Sequence, residues 1–302
     1  MGLILPKSLP YIGRFAPSPT GPLHLGSLYT ALASYLDARA NDGLWLLRID
    51  DIDTPRNRPW ASEGILNCLQ SFGLDWDREV DYQSHHLDQY EQAIVELQNQ
   101  HALYACTCSR SLLASSPLIY PGHCREKAQS ADRPHSLRLK SVNISMGFVD
   151  DLQGKITQNL ASEHGDFIVK RKDGIVAYQL ACVIDDQRQA VNRVVRGYDL
   201  LDSTLKQRYL QDLLGYGSPR YMHIPLIVDT EGYKLSKQTH AEAANPNQAG
   251  PILFLLLTLL KQNPPAHLRL ARRASILEWA IENWQPGYLL NTQAVTALPY
   301  NQ

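Results

Sequence analysis

The sequence predicts an α/β protein with a doubly wound parallel sheet. Its first part contains a short apolar segment at Tyr11 and Ile12, a stretch with helical apolar spacing at residues 25–36, and a strand-like W-L-L-R-I that begins at Trp45. This is a strand, loop, helix and strand order, and alternating elements of this kind indicate a parallel sheet covered by helices. We therefore expect a Rossmann-like core.

The loop at residues 14–27, R-F-A-P-S-P-T-G-P-L-H-L-G-S, has the composition of a ligand-binding loop. Three prolines keep it extended, so the following helix cannot begin before about His24. Gly21 and Gly26 allow a ligand to approach the backbone, and the N–H groups at the start of the helix form a site for anions. The loop therefore suits a nucleotide phosphate. The alternative is a proline-rich connector before an ordinary amphipathic helix.

Three aspartates, Asp50, Asp51 and Asp53, follow the second predicted strand. Open α/β sheets bind ligands at the carboxyl ends of their parallel strands, so these acids are candidates for a binding site. Thr54 is predicted to cap a helix whose first residue is Pro55. For Asp53, we favour a role in helix capping and turn formation over a role in ligand binding.

The composition is that of a soluble globular protein, and its 302 residues have room for two or three domains. The longest apolar run, residues 251–260, is too short to cross a bilayer, and the N-terminus has no continuous apolar signal segment, so a cytoplasmic protein without a membrane partner is expected. Because the net charge is −1, any contact with RNA depends on local clusters such as residues 170–172 or 269–273, and the alternative for each cluster is a solvated face. We take a monomer as the default.

Residues 106–164 are predicted to form an insertion of short antiparallel strands that carries a metal site. Cys106, Cys108 and Cys124 offer three soft ligands for a tetrahedral zinc ion, and in a cytosolic chain this spacing favours a metal over disulfides. His123 is a candidate for the fourth ligand because imidazole is a common zinc ligand. However, His123 and Cys124 are adjacent, and both would have to bend back onto the same ion. The alternative is three buried structural cysteines without a metal.

Two motifs resemble the signatures of the glutamyl and glutaminyl branch of the class I aminoacyl-tRNA synthetases. A-P-S-P-T-G followed by H-L-G-S, within residues 16–27, resembles the first signature, whose H-x-G-H/S element packs against ATP. K-L-S-K-Q at residues 234–238 resembles the K-M-S-K-S loop, the second signature, which closes over the triphosphate. V-V-R-G-Y-D-L-L-D-S-T at residues 194–204 resembles the second half of the same core, so the resemblance spans about residues 11–240.

The resemblance implies a pocket for ATP and a dicarboxylic amino acid, with His24 and Lys237 as the catalytic contacts. The implied ATP site comprises Pro17, His24, Gly26, Ser27, Lys234, Ser236 and Lys237. The implied glutamate site comprises Arg14, Phe15, Ala16, Pro17, Ser18, Asp50, Tyr178 and Arg196. The planar fork of arginine matches a carboxylate with two parallel hydrogen bonds. Asp50 would serve the ammonium group, where the family usually has glutamate, and its shorter side chain leaves open a direct contact or one through water.

Short relatives of these synthetases carry C-x-C, then Tyr, then Cys, so the resemblance nominates Tyr120 as the fourth zinc ligand, with His123 as the runner-up. The implied site is one structural Zn²⁺ per chain, held by Cys106, Cys108, Tyr120 and Cys124. The segment after Gln238 is too short for the anticodon-binding half of a full-length glutamyl-tRNA synthetase. The chain is therefore similar to the family of glutamyl-queuosine tRNA(Asp) synthetases.

That resemblance implies two reactions. ATP and L-glutamate give glutamyl-adenylate and pyrophosphate, with Mg²⁺ expected on the phosphates, and the glutamyl group then passes to queuosine in the anticodon of tRNA(Asp). Two alternatives are a minimal synthetase that charges the 3′ end of tRNA and a catalytically silent paralogue that binds tRNA or nucleotide. The expected layout is a split Rossmann-like core at residues 1–105 and 165–240, a zinc-binding insertion at 106–164 and a small helical subdomain at 241–302.

Overall fold

Strands and helices alternate along the chain, of which the computed structural model describes residues 10–109, 112–113, 119–127, 133–233 and 244–296. The strands are β1 (Ile12–Phe15), β2 (Leu44–Ile49), β3 (Asp81–Tyr82), β4 (Leu103–Cys106), β5 (Ser136–Leu139), β6 (Ser145–Asp150), β7 (Gly154–Asn159), β8 (Phe167–Lys170), β9 (Arg193–Gly197), β10 (Arg220–Ile224), β11 (Leu226–Val228) and β12 (Ala294–Thr296). The main helices are α1 (Leu25–Ala40), α2 (Ala61–Ser71), α3 (Leu87–Asn99), α4 (Tyr178–Arg188), α5 (Leu201–Leu213), α6 (Ala249–Leu259) and α7 (Arg273–Glu282).

Two groups of parallel strands meet in the middle of the molecule. β1, β2 and β3 are parallel neighbours, and β10 lies parallel to both β9 and β6, with β7 antiparallel at the edge. Just before β9, Asn192 joins the two groups: its backbone N–H donates to the Ile12 carbonyl (3.1 Å), and its side-chain oxygen accepts the Ile12 N–H (2.9 Å). The predicted α/β fold with a parallel sheet is confirmed. The two groups of strands are in contact through β1 and β9.

The largest core cluster surrounds α1. In β2, Trp45 is fully buried, stacks on Phe15 with ring centroids 6.2 Å apart, and meets the edge of Tyr35 at 5.2 Å. Leu256 of α6 and Leu277 of α7 belong to the same continuous cluster. The helices of the C-terminal segment therefore extend the core of the first half of the chain, so that α1 is buried around most of its circumference.

The helix predicted to begin at Pro55 is wrong, because a turn occupies this position and α2 begins at Ala61. Within the turn, the Asn57 amide donates to the Asp51 carbonyl (2.5 Å), and the Arg56 guanidinium donates to the Asp53 carboxylate (2.6 Å). These polar contacts satisfy the local backbone and acidic groups without a helix.

The run I-V-A-Y-Q-L-A at residues 175–181, which follows the turn residues Asp173 and Gly174, has the pattern of the second strand of a hairpin. The strand that this pattern predicts is also wrong. The turn itself forms, with Gly174 at φ +86° and the Arg171 N–H donating to the Ile175 carbonyl (2.8 Å), but pairing with β8 ends after a single bridge to Val176. The chain then enters α4, in which consecutive residues are buried. A helix buried on all sides has no polar face, so its apolar run has the same appearance as a buried strand.

The predicted antiparallel strands are present in two places. β4, β5 and β8 form a three-stranded antiparallel sheet, whereas the β6–β7 hairpin joins the main sheet through β10. Within the ranges that the structure describes, no helix has both the length and the apolar character needed to cross a membrane.

Candidate active site

A cavity of about 700 Å³ lies at the carboxyl ends of β1 and β9, where the two groups of parallel strands diverge. Doubly wound sheets bind ligands at this switch point, and the volume suits a small molecule. Asp50 is not among the lining residues, and Lys234, Ser236 and Lys237 lie outside the described residues. The predicted substrate residues that line the cavity are Arg14, Phe15, Ala16, Pro17, Ser18, His24, Gly26, Ser27, Tyr178 and Arg196.

The loop before α1 brings the start of this helix to the cavity. His24 is the N-cap residue, as the proline-rich loop predicts: its Nδ1 accepts the Ser27 backbone N–H (3.3 Å), and its Nε2 lies 3.1 Å from the Ser27 hydroxyl. The loop is also held against the end of β2, because the Asp50 N–H donates to the Pro17 carbonyl (3.0 Å). The first turn of a sixteen-residue helix carries N–H groups and a partial positive charge, which suit a phosphate group.

Arg196, near the end of β9, also lines the cavity and is buried. Its Nε donates to Nε2 of His223 (3.0 Å), and its terminal nitrogens donate to the Gln207 amide oxygen (2.8 Å) and the Thr204 hydroxyl (2.7 Å). In the described part of the chain, no acidic side chain forms an ion pair with Arg196. All three contacts are neutral, so the positive charge is positioned but not neutralised.

Two further arginines form a buried network with aspartates. Arg14 donates to Asp186 (3.1 Å), and Arg48 donates to Asp186 (2.8 Å) and to Asp50 (2.8 Å). Burial opposes ionisation of Asp186, but the two guanidinium groups outweigh it and lower the pKa of this carboxyl to about 2. For Asp50, burial outweighs its contact with Arg48 and raises the pKa to about 6.

The chain matches a known protein family and several relatives over most of its length. The family described as tRNA synthetases class I (E and Q), catalytic domain, matches residues 12–116 and 120–249. This chain belongs to the class I glutamyl- and glutaminyl-tRNA synthetase family. It is 49% identical over 274 residues to a glutamyl-Q tRNA(Asp) synthetase of Ectopseudomonas mendocina, covering 91% of this chain and 93% of the relative.

A second member of the family, a glutamyl-Q tRNA(Asp) synthetase of Pseudomonas fluorescens, is 47% identical over 285 residues, covering 94% of this chain and 95% of the relative. Among solved structures, a glutamate-tRNA synthetase from Elizabethkingia anophelis superimposes with a TM-score of 0.79 at 24% identity, covering 96% of this chain and 68% of that one. This structural likeness supports the synthetase fold.

Outside the cavity of this synthetase-family chain, four donor groups converge near the end of β4. The Sγ atoms of Cys106, Cys108 and Cys124 lie within 4.8 Å of one another, and no histidine in the described ranges joins the group. The Tyr120 hydroxyl lies 3.4 Å from Sγ of Cys106 and 3.6 Å from that of Cys108, and it accepts the Cys124 N–H (3.0 Å). Burial raises the pKa of the Cys106 thiol, but hydrogen bonds with Tyr120 and Arg138 bring it below its usual value. Three thiols and a phenol with this spacing fit a tetrahedral metal ion.

Sequence reasoning missed the residues that hold the predicted ones in place. Arg48 is fully buried and lines the cavity, Asp186 pairs with both Arg14 and Arg48, and His223 contacts Arg196. A signal was present for Arg48 and His223, because each is a polar residue next to buried apolar residues of a strand. Buried polar groups need partners, so such positions mark internal networks.

Proposed function

We propose that this chain activates L-glutamate with ATP and transfers the glutamyl group to queuosine in the anticodon of tRNA(Asp). The relatives described as glutamyl-Q tRNA(Asp) synthetases support the acceptor. The amino-acid assignment depends on one observation: the buried charge of Arg196 lines the cavity without an acidic partner in the described chain. An anionic side chain of the substrate would neutralise it.

In the first reaction, an oxygen of the glutamate α-carboxylate attacks the α-phosphorus of ATP. The bond between that phosphorus and the bridging oxygen breaks, pyrophosphate leaves, and glutamyl-adenylate forms. Mg²⁺ carried with ATP would share the charge of the phosphates. In the second reaction, a hydroxyl group of queuosine attacks the glutamyl carbonyl, an ester forms, and AMP leaves. Positioning and charge stabilisation suffice for both steps, so the mechanism requires no side-chain nucleophile.

The described residues have distinct roles in the first reaction. The backbone N–H of Gly26, at the start of α1, would donate to a phosphate oxygen. Because Nδ1 of His24 accepts a backbone N–H, the neutral ring carries its hydrogen on Nε2, where the Ser27 hydroxyl or an oxygen of ATP can accept it. Lys234 and Lys237, assigned from the sequence, would balance the charge that develops on pyrophosphate.

Selection of glutamate over glutamine follows from the charge of Arg196. A carboxylate accepts two hydrogen bonds from the guanidinium and neutralises it. The amide of glutamine would place an N–H group against the donors of Arg196 and leave a buried cation without a counter-charge, which is costly. Tyr178, which also lines the cavity, would pack against the substrate side chain.

We also propose that Cys106, Cys108, Tyr120 and Cys124 hold one zinc ion. The four donors fit the tetrahedral geometry that structural zinc sites adopt, whereas His123 does not belong to the cluster of thiols. Zinc would tie donors that follow β4 in the sequence to Cys106 at the end of that strand. Its role would be structural, and neither reaction uses it.

The decisive experiment compares acceptors. Glutamate-dependent exchange of pyrophosphate into ATP, measured without RNA, first establishes activation, and aspartate and glutamine serve as controls. Labelled glutamate is then offered with tRNA(Asp) carrying queuosine and with the same RNA carrying guanosine at that position. Each RNA is also tested after removal of its 3′-terminal adenosine. We expect incorporation only into the queuosine RNA, with or without its 3′ end.

Equal incorporation into both RNAs would refute the queuosine assignment. Incorporation that disappears with the 3′ adenosine would favour a minimal synthetase that charges the 3′ end. Absence of pyrophosphate exchange would favour a silent nucleotide- or tRNA-binding protein.

A further inference from the structure

His223 lies at the end of a chain of buried polar contacts that leads to the substrate pocket. It is fully buried in β10, and its Nδ1 lies 2.6 Å from a carboxylate oxygen of Asp150 at the end of β6. Asp150 also accepts the backbone N–H of His223 (3.1 Å) and those of Leu152 and Gln153 (3.0 Å each). These donors stabilise the carboxylate, so Nδ1 of His223 carries the hydrogen that it shares with Asp150.

This tautomer determines what His223 offers to Arg196. With hydrogen on Nδ1, the neutral ring presents a lone pair at Nε2, and Nε of Arg196 lies 3.0 Å from that atom. Arginine has no acceptor, so the contact requires Nε2 to be unprotonated. Burial and the nearby Arg196 charge both lower the pKa of His223, which keeps the ring neutral although Asp150 acts in the opposite direction.

The remaining contacts fix the orientation of the guanidinium. One terminal nitrogen of Arg196 donates to Gln207 (2.8 Å) and the other to Thr204 (2.7 Å), so each of the three nitrogens has one partner within the protein. A guanidinium has five N–H bonds, and these contacts account for three of them. The two others, one on each terminal nitrogen, remain to donate to a carboxylate of the substrate.

We propose that His223, oriented by Asp150, is a positioning residue that holds the Arg196 fork ready for the side-chain carboxylate of the amino-acid substrate. This inference rests on the proposed function, because it concerns the same pocket. Without an acceptor at the Nε2 position, the Arg196 Nε–H would be buried without a partner, and the guanidinium would turn to find one. Recognition of the substrate carboxylate would weaken, whereas the ATP side of the cavity would be unaffected.

Two substitutions of His223 separate positioning from support of the fold. In His223→Gln the amide oxygen can occupy the place of Nε2 and accept the Arg196 Nε–H, but the bond to Asp150 is lost. In His223→Asn the amide nitrogen can occupy the place of Nδ1 and keep the bond to Asp150, but nothing accepts from Arg196. His86→Asn is the matched control, because His86 lies 2.7 Å from Asp81 in a histidine–aspartate pair outside the cavity.

The readout is glutamate-dependent pyrophosphate exchange, with KM measured separately for glutamate and ATP, together with thermal unfolding of each variant. A buried donor without a partner costs about 1–3 kcal/mol, so His223→Asn should raise the KM for glutamate about tenfold to a hundredfold and leave that for ATP unchanged. His223→Gln should recover most of the glutamate affinity, and His86→Asn should behave as the wild type.

A wild-type KM for glutamate in His223→Asn, or equal loss in the Gln and Asn variants, would overturn the inference. If His223→Asn does not fold, Asp150→Asn replaces it. An asparagine amide donating to Nδ1 would move the ring hydrogen to Nε2, against Arg196, so the KM for glutamate must again rise while His223 is intact, and an unchanged value contradicts the proposal. Absence of exchange in the wild type would instead refute the proposed function, and the inference with it.

Discussion

Replacement of Asp50 by asparagine is expected to stabilise the folded chain near neutral pH and to impair glutamate activation. The Asp50 carboxyl is buried, with Nε of Arg48 at 2.8 Å, and burial raises its pKa from 3.8 to about 6. Keeping the carboxylate ionised in the folded state therefore costs about 3 kcal/mol above pH 6, since each tenfold change in proton affinity is worth about 1.4 kcal/mol.

The sign of the pH dependence follows from this pKa. Below pH 3.8 the carboxyl is protonated in both the folded and the unfolded chain and has no differential effect. Between pH 3.8 and about 6 the unfolded chain loses its proton first, so the free energy of unfolding falls as pH rises. Asparagine carries no charge and retains an oxygen for Arg48. We expect it to raise the free energy of unfolding by about 1–3 kcal/mol at pH 7.5 and by almost nothing at pH 4.

Asp186→Asn is the matched control, because Asp186 binds the same Arg48 and its pKa is lowered to about 2 by Arg14 and Arg48, which outweigh burial. Its stabilising contribution is present above pH 3.8 and is lost as pH falls toward 2, so this variant should lose about 2 kcal/mol at pH 7.5.

Urea unfolding of the wild type and both variants at pH 4.5 and 7.5 measures these differences. If Asp50→Asn unfolds at lower urea than the wild type at pH 7.5, the contact with Arg48 outweighs burial and the reasoning is refuted. Loss of the negative charge should also lower kcat/KM for glutamate about tenfold or more in pyrophosphate exchange, because Asp50, which does not line the cavity, is expected to serve the substrate ammonium group through water.

Two further outcomes are expected from residues assigned on the sequence pattern. Lys237→Ala should reduce pyrophosphate exchange about a hundredfold or more, because it removes the cation that the sequence pattern assigns to the departing pyrophosphate, and an unchanged rate would contradict this role. Cys108→Ser should lower the zinc content from about one ion per chain toward zero by elemental analysis, whereas Cys68→Ser, which changes a cysteine on α2 outside the cluster, should retain the metal. A folded and active wild-type preparation without zinc would contradict the structural metal.

Local chemistry made the first half of the pocket predictable from the sequence. The prolines keep the helix from beginning before about His24, and α1 begins at Leu25 with His24 as its cap. The segment at Tyr178 was predicted as a strand because burial on all sides removes the period that separates helix from strand. The turn at Thr54 depends on polar contacts among Asp51, Asp53 and their neighbours, which propensity does not capture.

The predicted arginines differ in a way that only the folded chain reveals. Arg14 shares Asp186 with Arg48, and Arg48 also binds Asp50, so the cations on this side of the cavity have acidic partners. Asp186 lies 172 residues from Arg14 and 138 residues from Arg48 in the sequence, so no short motif relates it to either arginine. Arg196 is held by neutral groups alone in the described chain, so its charge lacks a protein counter-ion. A ligand carboxylate would complete a buried ion pair with an arginine that the protein has already oriented, and a preference for an acidic amino acid would then follow from the charge of Arg196.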